Sequence, residues 1–329
     1  MADMILSGIT ITGGVSFTLP PPAQATAGWY GTGSPSPNGL QRQIFATDTA
    51  TASYRATLTV STKRAAGVFT LDYGWIGGGT ASGSSLNLST VQRITFASDT
   101  SASSVRGPLN VALYGLAATG NTTDGWFAGG RLNAPSYAPQ STIQRITYAT
   151  DTATASIRGP LSSARYAQAA AGTATAGWII GGYGGTPEAI LAQVNRITYA
   201  TDTETASIRG NLGTPMTSHS ACSDGTTYAW AAGGSGPAGT LSLVQRITYA
   251  TDTATATARG PLSLARFRLS SATQNETNGW FGGGYVSGSP GFETSRIDRI
   301  TFATDTATAS VRGPLTAGAY NLVGLSGVA

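Results

Sequence analysis

The chain has 329 residues, 10% of them charged, with 44 glycines and a formal net charge of +4. Charge is scarce beside the roughly 25% of ordinary soluble domains, and a single cysteine, Cys222, excludes a disulfide framework and a thiolate metal cage. The length allows a large buried core, and no run of about eighteen apolar residues occurs that would span a membrane.

Residues 1–24 lie outside the periodicity of the rest. MADMILSGITITGG lacks a basic n-region, and Asp3 stands where positive charge belongs, so no secretory signal is expected. ITITGGVSFTLPPP alternates like a strand and stops at Pro20-Pro21-Pro22, a stiff extended spacer. Two expectations stand side by side for this arm. It is either an extra strand on the edge of the following body or an anchor that pairs with a partner chain by strand addition.

From residue 25 to 329 the chain repeats itself. An eighteen-residue phrase, clearest as QRITYATDTATASIRGPL at 144–161, occurs six times. Its first arginine recurs as Arg42, Arg93, Arg145, Arg196, Arg246 and Arg299, at steps of 51, 52, 51, 50 and 53 residues. A period near fifty marks an array of small units that bury their apolar faces against one another. Within one unit, RYAQAAAGT from Arg165, AGWIIGG from Ala176, VNRITYAT from Val194 and TASIRGNL from Thr205 read as four short strands. Thr201-Asp202-Thr203 reads as the turn between the last two, its carboxylate accepting the N–H two residues on. No helix is expected.

Tryptophans keep the same register. Trp29, Trp75, Trp126, Trp178, Trp230 and Trp280 each fall in a second strand, and all but the first are followed by a Gly-Gly pair; Thr32-Gly33 stands in the first unit. A large aromatic at a fixed strand position wedges one unit against the next, and the glycines let backbones approach. The Gly-Gly, the spacing and the aromatics resemble the kelch repeat, although Ile157, Ile208 or Val311 stands where that repeat carries a fourth-strand Trp. The resemblance implies an all-β fold: a six-bladed kelch-like β-propeller with four antiparallel strands per blade. The first unit begins at its second strand, and Ala319–Ala329 reads as a spare first strand. The C-terminal strand is therefore expected to pair into the first blade and close the ring, removing exposed edges, so that deleting the last eleven residues opens it.

Twelve of the nineteen basic residues lie in the phrase. Besides the six arginines above, they are Arg55, Arg106, Arg158, Arg209, Arg259 and Arg312, each thirteen residues after its partner. An even-numbered turn would set each pair directly opposite, which is unfavourable for like charges. One carboxylate per copy accompanies them: Asp48, Asp99, Asp151, Asp202, Asp252 and Asp305. The arginines either donate between blades to carbonyls and to that Asp or form a positive ring for an anionic partner. The first is expected, because residues identical in every unit serve what every unit shares. Lys63 is the only lysine, and no basic cluster is interleaved with aromatics, so no nucleic acid is expected as a partner.

Length variation concentrates between the tryptophan and the following arginine, at 13, 18, 19, 18, 16 and 19 residues. The variable loop joining the second and third strands is the candidate recognition surface. It carries Arg131, Tyr137, Tyr183, Glu188, Tyr285, Phe292 and Glu293. Catalytic chemistry is scarce. His219, the only histidine, is three residues from Cys222, which places the two on opposite faces of a strand. One histidine is fewer than a copper oxidase of the galactose-oxidase type needs, and the Asp turn lacks the Gly and Trp of the sialidase Asp box. No enzyme activity, cofactor or metal is expected.

The near-identical repeats, the sparse charge and the GITITGG arm resemble structural proteins of marine and cyanobacterial tailed phages. That resemblance implies a non-enzymatic virion component: a head decoration, neck or tail-fibre module present in multiple copies. The arm would bind other virion proteins, and the loop face would meet a neighbour or a host surface glycan. A free lectin-like propeller and a glycan-degrading enzyme are the other classes considered.

Overall fold

The computed structural model describes residues 24–34, 38–84, 86–269, 272–288 and 293–329. The proposed arm, apart from Gln24, therefore lies outside the described residues, as does Phe292. Among the described residues the fold is all-β, and no helix is long and apolar enough to cross a membrane. Six four-stranded antiparallel sheets make up the body.

Five sheets are each built from one continuous stretch of chain. In the fourth, for example, the inner strand Ala169–Gly172 pairs with Ala176–Ile180, which pairs with Gln193–Thr198, which pairs with the outer strand Ser207–Asn211. The second strand is buried along its length, as AGWII in this sheet shows, because its two faces meet the two neighbouring sheets. The first sheet differs. Its inner strand is Val323–Gly327 from the C-terminus, paired antiparallel with Ala27–Gly31, Trp29 opposite Leu325. The inner strands then follow one another: Val323–Gly327 lies beside Ala66–Phe69, and the series continues through Ala117–Gly120, Ala169–Gly172, Ser220–Ser223 and Thr273–Gln274 back to Val323–Gly327.

Core residues alternate with this geometry. Trp126, Ala128 and Ile143 of the third sheet pack with Ile179, Ile197 and Tyr199 of the fourth, and Trp178 and Ile180 of the fourth pack with Ile247 and Tyr249 of the fifth. Each apolar cluster thus spans two sheets, which is why no single repeat could bury its own face. On the outer strands Tyr54, Val105, Ile157, Ile208 and Val311 are about half exposed. The position that carries Trp in the kelch pattern therefore faces solvent here.

Three local expectations need correction. RYAQAAAGT is not one strand: Arg165–Tyr166 pairs outward with Tyr183–Gly184, Ala167 turns the chain at φ 54°, and only Ala169–Gly172 joins the main sheet. The end of VNRITYAT leaves the sheet as a single 3-10 turn, Tyr199–Thr201, and the same turn recurs in all six units, so helical geometry is present in these short pieces. Finally, paired arginines are not opposite each other. Arg145 faces Ser156 and Arg158 faces Ile143, so the two lie diagonally on one face of the hairpin and can converge on a single acceptor.

Candidate functional site

One end of the body is occupied by a joint repeated six times. Each tryptophan of one sheet donates its indole N–H to the turn aspartate of the next: Trp29 to Asp99, Trp75 to Asp151, Trp126 to Asp202, Trp178 to Asp252, Trp230 to Asp305 and Trp280 to Asp48, at 2.8–2.9 Å. The two phrase arginines of the donating sheet reach the same carboxylate oxygen. Nη1 of the first stands 3.0–3.2 Å away (Arg42, Arg93, Arg145, Arg196, Arg246, Arg299). Nε of the second stands 3.2–3.6 Å away (Arg55, Arg106, Arg158, Arg209, Arg259, Arg312). The indole also stacks on the aromatic that opens the receiving turn, as Trp126 does on Tyr199 at 3.9 Å between centroids. The Asp backbone carbonyl accepts from the donating sheet as well, for instance from the Gly159 N–H at 2.8 Å onto Asp202.

The carboxylate therefore does not close its own turn. That turn closes through backbone, Glu204 N–H to the Thr201 carbonyl at 3.0 Å, which leaves the Asp side chain free to reach across. The aspartates are buried, and the arginine side chains are a fifth to a third exposed. Twelve guanidiniums and six carboxylates are engaged in packing at this end.

The opposite end is built differently. The segments that lead into the inner strands turn at Arg64, Gly115, Ala167, Ser218, Arg268 and Asn321, all with φ between 53° and 65°. Their backbones are linked in series: Gly115 N–H to the Arg64 carbonyl, Ala167 to Gly115, Ser218 to Ala167, Arg268 to Ser218 and Asn321 to Arg268, at 2.8–2.9 Å. This collar surrounds a cavity of about 330 Å³ lined by Arg64, Tyr114, Arg131, Tyr166, Arg268 and Asn321, among others. A second cavity of about 360 Å³ opens between the other ends of the inner strands. The two share Ala118, Ala170 and Ala221 as lining, the small side chains that converging inner strands require.

Aromatics and guanidiniums are interleaved at the collar. Arg64 lies 5.5 Å from the Tyr114 ring centroid, Arg131 4.7 Å from that of Tyr166, and Arg268 5.3 Å from Phe267 and 5.8 Å from Tyr320. The Arg268 guanidinium is held below its ordinary pKa, first by burial and then by the nearby Arg64. His219 is buried between sheets beside the collar and lines the cavity, and its two ring nitrogens have no hydrogen-bond partner. Burial alone pushes its pKa down to about 3. Cys222 is buried in a separate apolar cluster with Trp230, its thiol pushed up by burial, and it lines neither cavity.

Of the loop residues singled out in the sequence, those described fall at the collar end. Arg131 lines the cavity and donates through Nε to the Tyr137 carbonyl and through Nη1 to the Tyr166 hydroxyl at 3.0 Å. Tyr183 meets Tyr166 edge-on at 5.7 Å, and Tyr285 meets Phe267 at 5.3 Å and Tyr320 at 5.4 Å. Glu293 bridges to Tyr285 on the loop, and Glu188 is exposed at the tip of the Tyr183–Ile190 hairpin. Sequence reasoning missed the collar itself. Its positions, 64, 115, 167, 218, 268 and 321, step by the same intervals as the phrase arginines, but what they share is a positive φ and not a residue type.

No protein-family model matches the chain, and no curated protein is significantly similar to it.

Proposed function

We propose that the chain is a six-bladed, kelch-like β-propeller acting as a non-enzymatic structural and binding component of a tailed-phage particle, carried in multiple copies. The observation that supports the propeller best is the cyclic order of the joints: the last tryptophan, Trp280, meets the first aspartate, Asp48, with the same distances as the five pairs before it. Pairing of Val323–Gly327 with Ala27–Gly31 supports closure by the C-terminal strand.

A body of this kind spends its repeated polar chemistry on holding sheets together and leaves the collar end for recognition. The virion role follows from the phage resemblance of the repeats and of the 1–24 arm. It is tested by mass spectrometry of purified particles, where the chain should appear at a fixed copy number and should be lost when residues 1–24 are removed. Its absence from particles that assemble normally would overturn that placement. A carbohydrate-binding propeller is the second reading, favoured by the aromatics and arginines gathered at the collar.

A further inference from the structure

The twelve phrase arginines each meet a carboxylate. Buried Arg266 is also paired, with Asp298 at 2.7 Å. Among the described residues five arginines meet none within 4.0 Å. Arg165 donates instead to the Gly181 and Gln193 carbonyls and Arg296 to the Ser263 hydroxyl, whereas Arg64, Arg131 and Arg268 all line one cavity. Two of them stand in a backbone conformation that favours glycine, at φ 59° and 55°. Gly115, Ala167, Ser218 and Asn321 occupy the same position in the other units. Nothing in the backbone requires arginine there, and placing two cations close enough to oppose each other's charge is unfavourable without an anion between them.

The rest of the lining narrows the anion. Tyr114 and Tyr166 line the cavity beside Arg64 and Arg131, and Tyr320 lies outside the lining, next to Arg268. Asn321, Ser218 and Gln168 add donors and acceptors, and Ala118, Ala170 and Ala221 leave the floor open. The guanidinium fork matches a planar carboxylate. Electron-rich aromatic faces suit the polarised C–H face of a sugar ring, and the volume is at the small end for ligand sites, enough for a terminal sugar rather than a folded segment. We infer that the collar cavity is a binding site for a carboxylate-bearing sugar at the exposed end of an acidic glycan, held by Arg64 and Arg268 with Arg131 at its edge. The inference rests on reading the chain as a binding module and not on its place in a particle.

The test is calorimetric titration of the full chain with di- and trigalacturonate and with a sialylated trisaccharide. Neutral galactobiose, inorganic sulfate and a short peptide with a free C-terminal carboxylate are run beside them. Arg64→Asn and Arg268→Asn are the informative variants, because Asn321 already stands at the equivalent collar position with φ 56° and the change removes charge without forcing the backbone. At least one acidic sugar should bind, the neutral sugar should bind at least about tenfold more weakly, and each variant should lose about tenfold or more, as expected for a lost charge-assisted hydrogen bond. Thermal melting of both variants should stay close to that of the parent chain. Equal binding of neutral and acidic sugar, failure of every acidic sugar to bind, or unchanged binding in both folded variants would overturn the assignment. Equal affinity for sulfate or for the peptide would show a general anion site only and would overturn the sugar. Particle composition reads out the virion placement separately, so either can fail alone.

Discussion

The two ends of the body solve the same problem, joining one sheet to the next, with opposite means: six side-chain joints at one end and a series of five backbone bonds at the other. At the joint end side chains carry the geometry: an indole and two guanidiniums converge on one Asp oxygen, and the residue types are the same in all six units. At the collar end backbone carries it, through N–H to carbonyl bonds between successive left-handed residues, and the side chains there are Arg, Gly, Ala, Ser, Arg and Asn. Where side chains make the bond the sequence cannot vary. Where the backbone makes it the side chains are free, and at this end they include Arg64, Arg131 and Arg268, three of the five arginines that meet no carboxylate.

The comparison breaks most easily at the joint. Asp202→Ala leaves Trp126, Arg145 and Arg158 without their shared acceptor in a mostly buried site. It should cost about 3–5 kcal/mol in denaturant unfolding. A loss below about 1 kcal/mol would mean that the joint is ornamental. Next comes Gly159→Ala, whose added Cβ would fall 1.8 Å from the Glu204 carbonyl oxygen of the next sheet. A destabilisation of about 1–3 kcal/mol is expected. The first unit natively has Ala56 there, so Ala56→Gly should shift stability by no more than about 1 kcal/mol.

His219 sharpens the contrast from the collar side. Leu116, Gln168, Leu269 and Leu322 occupy its place in four other units. In the unfolded chain its imidazole protonates near 6.5, while in the folded chain burial holds protonation off until about 3. The unfolded state therefore binds the extra proton between these values, and stability falls as pH drops through that window, by up to about 1.4 kcal/mol per unit. His219→Leu should flatten this slope between pH 6 and 4. An unchanged slope would mean that the imidazole reaches a partner. The smallest effect is expected at Ala167→Gly, which relieves φ 54° and should stabilise by up to about 1 kcal/mol.

Much of the joint could be read from the chain because it is periodic in residue type. Arg196, Asp202 and Arg209 recur at fixed offsets within the phrase and each unit repeats the tryptophan, Trp178 here, and the C-terminal strand was required by counting strands. What could not be read was the partner of the carboxylate. Local turn chemistry points Asp202 at its own backbone, whereas it belongs to the preceding sheet, whose tryptophan lies 76 residues away. The collar was hidden for the opposite reason: its period lies in φ, not in residue type, and Arg64 and Arg268 look unrelated until Gly115 and Asn321 show that one backbone position is shared. The single strand drawn through RYAQAAAGT failed there too, because alternation does not reveal the left-handed Ala167.

The central claim is that the sixth sheet meets the first as any sheet meets its neighbour. Double-mutant cycles of Asp48→Asn with Trp280→Phe and of Asp202→Asn with Trp126→Phe measure this directly. Equal coupling at the two joints, about 1–2 kcal/mol each, is the predicted result although the first pair is 232 residues apart and the second 76. Coupling at Asp202–Trp126 with none at Asp48–Trp280 would contradict it.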